Sequence, residues 1–590
     1  MCDRLGTKPL LVPRFEVVLH TGLRVSMRDG VELATDIYRP AGYPGKLSTI
    51  LIRTKYGRPP YRLPEPSKPV AMMFAAQGYA VVVQELRGLF DSGGHFALLE
   101  HDAMDGYDTL SWIASQPWST GRVGTYGCSA LGTTQVILAQ LRHPAHRCAI
   151  IEGAGGSMTG DRTRLGDQRL CSLRWGGAVE LGMWVPHFHQ NHAKDRSRPQ
   201  PKTDEEYKRA FATLPVIDIL NSMGSPPTEW EDWVSRDPDD PWFDRLGLLR
   251  EDAKIDVPAL FVHSWYDVGA GDALHQQRVF SYRGVSPAAR EHQHIILSPA
   301  VHCGTATLTA PTVVGERELG DARLDCWQIY LNWYDCWLKE KPDRIAEMPR
   351  VQYYVMGRNE WRAASEWPPA GVELQRWFLR SGGNANTRLG DGTLDVEPPS
   401  GDEPADTFVY DPENPVPFLG VKGGNSVGTT IGPQDYQEVE LRKDVLCFTS
   451  ELLEKGVEVT GFVRAILFVS SSAPDTDFVA RLLDVHPDGR AIDVVDGILR
   501  VRYREGFNRT VMMKPREVYQ IDIDLDATSN WFPPGHRIRL EISSSAFPRF
   551  DRNLNTGGNN WDETEWVVAH NTVHHCAEAA SYVLLPIAAK

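Results

Sequence analysis

Ser129 stands in the run Gly127-Cys128-Ser129-Ala130-Leu131-Gly132, between the apolar stretch 123–126 and a stretch of helical character. A serine hydroxyl becomes a nucleophile only when it is held clear of the backbone beside a base. Gly127 and Gly132 permit the sharp turn and close helix-sheet packing that would expose it. The spacing is G-x-S-x-x-G, one residue longer than the usual G-x-S-x-G turn. Such a turn leaves Ser129 at a helix N-terminus, where free N–H groups favour developing negative charge. The chemistry such a serine would do is acyl transfer, which needs a base and a carboxylate to orient it. Asp267 follows the apolar run 259–263, and His302 follows the run 295–297. The tetrahedral oxyanion also needs donors. The N–H of Ala130 is the first, and the loop 53–58 offers either a backbone donor or the phenol of Tyr56.

These residues must be positioned by a sheet. The runs 49–52, 80–84, 123–126, 149–151, 259–262 and 294–297 are short, continuously apolar and separated by helical stretches. That rhythm predicts parallel strands covered on both faces. Ser129, Asp267 and His302 each fall just past the C-terminal end of one of them, where open α/β sheets place their sites. Their order, serine then acid then histidine, is that of α/β-hydrolases. Upstream, alternation through 15–19 and 23–27 with an Asp29-Gly30 turn predicts an antiparallel hairpin at a sheet edge. From 153 to 250 the strand signal disappears, and the segment reads as a helical cap. Leu324, Trp327, Leu331, Tyr334 and Leu338 recur at three- and four-residue steps, so their helix should pack on the sheet. From 348 onward, short alternating segments and turns such as Pro487-Asp488-Gly489 predict an all-β sandwich or jelly roll. The expected division is an α/β-hydrolase domain over 15–152 and 251–347, a cap over 153–250 and a jelly-roll domain over 348–590.

Composition bounds the function. The chain has 590 residues, 42% apolar and 24% charged, with a formal charge of -15 and a pI of about 5.7. An acidic surface argues against nucleic acid or an anionic membrane as partner. No apolar run approaches membrane-spanning length and no secretory leader is evident, so a cytoplasmic location is expected. Nine scattered cysteines without a C-x-x-C read as reduced thiols, with neither a disulfide framework nor a zinc site. His187, His189 and His192 lack a nearby carboxylate or cysteine and read as ordinary cap histidines. Cys128 is read as pointing away from the Ser129 hydroxyl. Arg87 and Asp91 read as a structural turn. Trp175, Trp184, Trp265 and Val268 are candidates to line an apolar substrate pocket.

Arg53-Thr54-Lys55-Tyr56, the segment Glu85 to Gly94, Gly127 to Gly132, Trp265-Tyr266-Asp267, Asp411 to Pro417, Asp475 to Phe478 and Arg549 to Asn553 together resemble the bacterial cocaine-esterase and X-prolyl dipeptidyl-peptidase family. The likeness runs in order over nearly the whole chain. It implies an α/β-hydrolase domain, an inserted cap and a C-terminal jelly roll. It further implies Ser129 as nucleophile, His302 as base, Asp267 as acid, Tyr56 and the Ala130 amide as oxyanion hole, no cofactor or metal, and a homodimer for which an exposed sandwich face would serve. The expected activity is cleavage of esters, or amides, of a compact and partly apolar small molecule. Relatives such as the α-amino acid ester hydrolases hold a substrate ammonium with acids directly after the catalytic aspartate. This chain has Val268-Gly269-Ala270-Gly271 there, and an unpaired buried ammonium is expensive. Substrates without a free α-amine are therefore favoured over X-prolyl dipeptidyl aminopeptidase or α-amino acid ester hydrolase activity, unless Asp161, Asp167 or Glu180 supplies the charge. The family's tryptophan before the catalytic histidine is replaced by Pro299-Ala300-Val301. An acyltransferase on the same residues, or a non-catalytic binding role for the sandwich, are the competing classes.

Overall fold

Successive residues of a strand point to opposite faces, and the central strands of this chain carry apolar side chains on both. In the computed structural model, which describes residues 11–62, 70–155, 157–158, 174–191, 204–225, 228–238, 240–420 and 432–589, this builds two cores. Ile50, Ile52, Val81, Val83, Ile150, Leu260, Val262 and Ile296 face Trp327, Tyr330, Trp333 and Tyr334 of the helix Cys326–Lys339. The alternate residues turn the other way. Leu51, Val82 and Val123 meet Leu110 and Ile113 of the helix Asp102–Ser115. Ala149, Ile151, Ala259, Phe261, Ile295 and Leu297 meet Ala273, Leu274 and Phe280 of the helix Ala270–Tyr282.

The strands are β1 (Val17–Ser26), β2 (Glu32–Pro40), β3 (Leu47–Thr54), β4 (Ala80–Glu85), β5 (Ser119–Cys128) and β6 (His146–Glu152), followed by Ala259–Tyr266, Gln293–Val301, Val351–Val355 and Glu360–Ala364. They lie in the order β1-β2-β4-β3-β5-β6 and then the last four in chain order. Pairing is parallel from β4 through Val351–Val355. The edges are antiparallel. The N-terminal hairpin closes through Met27 N–H to Val31 O at 2.8 Å. Its two alternating segments are one strand, β1, interrupted by a bulge between His20 and Leu23.

The first two strands past 348, Val351–Val355 and Glu360–Ala364, extend the first sheet. Val351–Val355 pairs in parallel with Gln293–Val301, whose outer N–H and C=O groups would otherwise form an open edge. Alternation alone could not say which sheet would claim them.

Among the described residues the all-β domain comprises eleven hydrogen-bonded strands, from Glu373–Arg380 to Tyr582–Ile587. They enclose a core that includes Phe408, Phe448, Leu467, Phe478, Leu482, Phe532 and Leu540. Pro487-Asp488-Gly489 turns the chain between Asp477–Val485 and Ala491–Arg500, an antiparallel pair. In the cap, the helices Leu181–Asn191 and Trp230–Val234 bury Trp184, Phe188, Trp230 and Trp233 against one another. Two-residue strands, Arg174–Trp175 and Ala178–Val179, are an unforeseen addition there.

Buried charge joins the cap to the all-β domain. Arg500 Nε donates to Asp477 Oδ1 at 2.9 Å, and its Nη2 donates to Asp551 Oδ1 at 3.1 Å. Asp551 Oδ1 also accepts the cap's Val179 N–H at 2.7 Å. Asn553 Nδ2 bridges Asp475 and Asp477 at 2.8 Å to each. Even beside Arg500, burial pushes Asp477 up to about 6. Removing one member of a buried ion pair strands the other charge at a cost of about 3–5 kcal/mol. Arg500→Ala is expected to lower stability by that order, measured as a fall in the urea midpoint of tryptophan fluorescence.

Candidate active site

The turn at Ser129 is built by backbone packing. β5 ends at Cys128 and the helix Ala130–Ala139 begins at once, with Ser129 at φ 63° and ψ -128° between them. A non-glycine residue there costs on the order of 1–3 kcal/mol and persists only when its surroundings enforce it. They do so in two ways. Ser129 N–H donates to Glu152 O at 2.9 Å, while Ser129 O accepts from Gly132 and Thr133. A Cβ on Gly127 would meet Leu131 Cβ at 2.4 Å, and one on Gly132 would meet Ala154 Cβ at 2.8 Å. The Ser129 side chain makes no cap hydrogen bond to its helix. Its hydroxyl is not used up in capping the helix.

The other two candidates arrive from neighbouring strands. Asp267 follows Ala259–Tyr266 and His302 follows Gln293–Val301, adjacent parallel strands of the sheet. His302 Nδ1 lies 2.8 Å from Asp267 Oδ2, and Val268 N–H donates to Asp267 Oδ1 at 2.8 Å. Burial alone would lower the imidazole's affinity for its proton, but the charge and hydrogen bond of Asp267 outweigh it and His302 lies above its ordinary value. Burial would likewise raise Asp267, yet His302's charge and hydrogen bond hold it below the ordinary carboxylate range. A neutral His302 with its proton on Nδ1 toward Asp267 presents Nε2 as an acceptor. Tyr56, just past β3, is hydrogen-bonded to Ser129, and burial pushes its phenol up, keeping it a donor.

Four features of the site escaped sequence reasoning. Cys128 and Cys303 form a disulfide, with Cα atoms 6.1 Å apart. The expectation of reduced thiols is corrected for this pair, because the β5 turn and the His302 turn meet in space although 175 residues separate them. Glu152, at the end of β6 and paired in register with Cys128, is a buried carboxyl beside the site. Burial pushes it up to about 7, and Tyr126 Oη donates to its Oε2 at 3.3 Å. An acid ending an otherwise apolar parallel strand was the readable signal. A Cβ on Gly153, at φ 52°, would lie 3.3 Å from both Asp267 Oδ2 and His302 Cε1, a tight contact that glycine avoids. Lys55, beside Tyr56, is buried with Nζ 2.8 Å from His187 Nδ1, and burial pushes it down to about 7.

The pocket candidates separate. Trp265 and Val268 line a cavity of about 60 Å³ with Asp267, Phe418, Asp496 and Arg549. Trp265 Nε1 also donates to Tyr354 O at 2.8 Å, and its ring packs on Trp367. Trp184 packs in the cap's aromatic cluster against His187, Phe188 and Trp233. Trp175 pairs with Ala178 through the backbone. Of the acids weighed for an ammonium, Asp161 and Asp167 lie outside the described residues. Glu180 is buried 3.7 Å from Arg549 Nε. The all-β domain brings three more carboxylates to the cavity, each with a donor: Asp493 accepts from Gln434 N–H, Asp496 pairs with Arg549 at 2.7 Å, and Asp526 accepts from Gly271 N–H. Among the described residues His187 and His189 join no group of metal-ligand geometry; His192 lies outside them. Arg87 holds Asp29 and Asp105, and Asp91 holds Arg58, as a structural turn.

Among the described residues no helix is long and apolar enough to cross a membrane. Residues 29–304 match the X-Pro dipeptidyl-peptidase (S15) family, and residues 344–584 match the X-Pro dipeptidyl-peptidase C-terminal non-catalytic domain. A cocaine esterase from Rhodococcus sp. strain MB1 Bresler is 35% identical over 603 residues, covering 96% of this chain and 98% of that one. Among solved structures, an aminopeptidase from a marine sediment Thaumarchaeota archaeon superposes with a TM-score of 0.81 at 23% identity, covering 100% and 99% of the two chains. An α-amino acid ester hydrolase does so with a TM-score of 0.80 at 23% identity, covering 98% of each. At these identities the two structures share the fold.

Proposed function

This chain belongs to the cocaine-esterase group of the X-Pro dipeptidyl-peptidase family and is a serine ester hydrolase, and from that premise we propose that Ser129 is its nucleophile, His302 its general base, Asp267 the orienting acid, and Tyr56 with the Ala130 N–H its oxyanion hole. The observation that carries the assignment is the 2.8 Å Asp267–His302 pair beside a serine held at positive φ at the end of β5. His302 Nε2 takes the Ser129 proton as Oγ attacks the ester carbonyl. The tetrahedral oxygen receives hydrogen bonds from Tyr56 and the Ala130 amide, each worth about 2.7–4 kcal/mol of barrier. His302 then returns the proton to the departing alcohol. Water, deprotonated by the same imidazole, releases the acid from the acyl-enzyme.

The preferred substrate is a compact, partly apolar small-molecule ester without a free α-amine. Two facts support this reading. Val268 to Gly271 carry no charge after Asp267, and the carboxylates around the neighbouring cavity already have donors of their own. A buried ammonium would have to break one of those pairs or go unpaired.

The test is a set of matched p-nitrophenyl esters, benzoyl and butyryl against alanyl, with alanyl-prolyl p-nitroanilide alongside. Higher kcat/KM for the uncharged acyl groups, by tenfold or more, is the expected result. Faster turnover of the alanyl or prolyl substrates would move the preference to amine-bearing acyl groups and refute the missing-ammonium argument.

A further inference from the structure

We propose that Cys128 and Cys303 form a reversible thiol–disulfide site that, when oxidised, locks the nucleophile turn to the turn carrying the base. The inference rests on the roles of Ser129 and His302 proposed above. The disulfide joins the residue before Ser129 to the residue after His302. It therefore reaches the chemistry through one peptide unit at each end.

Three observations make the pair more than a staple. Both cysteines are partly exposed. Among the other described cysteines, Cys148, Cys326, Cys336 and Cys447 are buried thiols and Cys576 is a partly exposed one; burial pushes Cys336, for example, up to about 11, which keeps it unreactive. Cys303 holds φ 57°, a left-handed conformation that a non-glycine residue keeps only when its surroundings insist. The two ends of the bond also differ in rigidity. The Ser129 turn is fixed by its N–H to Glu152 O and by the packing of Gly127 and Gly132. The His302 turn is held by Gly304 N–H to Val301 O at 3.0 Å and otherwise through side chains, His302 Nδ1 to Asp267 Oδ2 and Thr305 Oγ1 to Ser298 Oγ, at 2.8 Å each.

Reduction separates the sulfurs from about 2.05 Å to non-bonded contact at roughly 3.5 Å or more. The Ser129 turn cannot give, so the His302 turn absorbs the displacement and Cys303 can leave its positive φ. Moving the base by about 1 Å costs up to about 10²-fold in rate. The exchange is balanced with a dithiol. One thiolate attacks Cys303 Sγ, and the S–S electron pair passes to Cys128 Sγ, which takes a proton. The reductant's second thiolate then closes its own disulfide and releases Cys303, which is protonated in turn. Oxidised glutathione reverses this and leaves as two glutathione thiols.

The full-length protein, oxidised with glutathione disulfide and then freed of it, is assayed on p-nitrophenyl butyrate before and after dithiothreitol. In parallel, non-reducing tryptic mass spectrometry follows the peptide that links Cys128 to Cys303. The expected result is a linked peptide that disappears on reduction together with a fall in kcat of about tenfold or more, KM within twofold, and recovery on reoxidation. Cys303→Ser should show the low rate in both conditions. Equal, substantial rates in the two states, or no linked peptide after oxidation, would overturn the lock and leave the triad standing. No hydrolysis in either state would overturn the lock together with the triad on which it rests.

Discussion

Ser129→Ala is expected to lower kcat for ester hydrolysis by about 10⁶-fold, the order seen when a triad nucleophile is removed, while leaving the fold in place. The fold survives for a local reason. The hydroxyl caps no backbone group of the helix Ala130–Ala139, and the positive φ of residue 129 is held by Glu152 O, Gly127 and Gly132, none of which needs the side chain. Alanine also meets the same steric cost at that φ as serine. Thermal unfolding and circular dichroism should therefore match the parent protein. The decisive reading is pre-steady-state: the parent should release a burst of p-nitrophenol stoichiometric with active sites, as an acyl-enzyme forms, and the variant should release none. A variant that kept its burst would place the nucleophile elsewhere.

The second large effect is expected for Asp267→Asn, with kcat reduced by about 10⁴-fold. The carboxylate accepts the Nδ1 proton of His302 at 2.8 Å and leaves Nε2 as the proposed base. An asparagine can turn its NH₂ toward Nδ1, placing the imidazole proton on Nε2, the wrong side. A pH shift accompanies the loss. In the parent, Asp267's charge and hydrogen bond outweigh burial and raise His302 above 6.5. The base must be neutral to act, so kcat/KM is present above that raised value and is lost as pH falls through it. Without the aspartate, burial's lowering effect is no longer outweighed by it and the acidic limb moves to lower pH. The profile of log kcat/KM against pH checks the sign: a limb that stayed put, or rose, would show that Asp267 does not set the charge on His302.

The fold was legible wherever the signal was local. Continuous apolar runs such as 49–52 and 259–262 specify strands covered on both faces, since nothing else buries every side chain of a short run. The sharp turn at Ser129 follows from glycines whose absent Cβ atoms make room for Leu131 and Ala154. Asp267 and His302 could be named because a parallel sheet delivers the ends of all its strands to one edge. What the sequence could not rank was contact across the chain. Whether 351–364 joined the first sheet or the second depended on which edge offered unpaired hydrogen-bonding groups. The cavity beside Asp267 takes Asp493, Asp496 and Asp526 from a domain more than 200 residues downstream, so reading only the residues after Asp267 missed them and the donors they already hold. Cys128 and Cys303 read as two solitary thiols, because spacing in sequence says nothing about distance once two strands lie in one sheet. Local periodicity chose the elements and their ends. The tertiary structure decided which ends met, because packing and hydrogen-bond closure act on surfaces that exist only after the elements have formed.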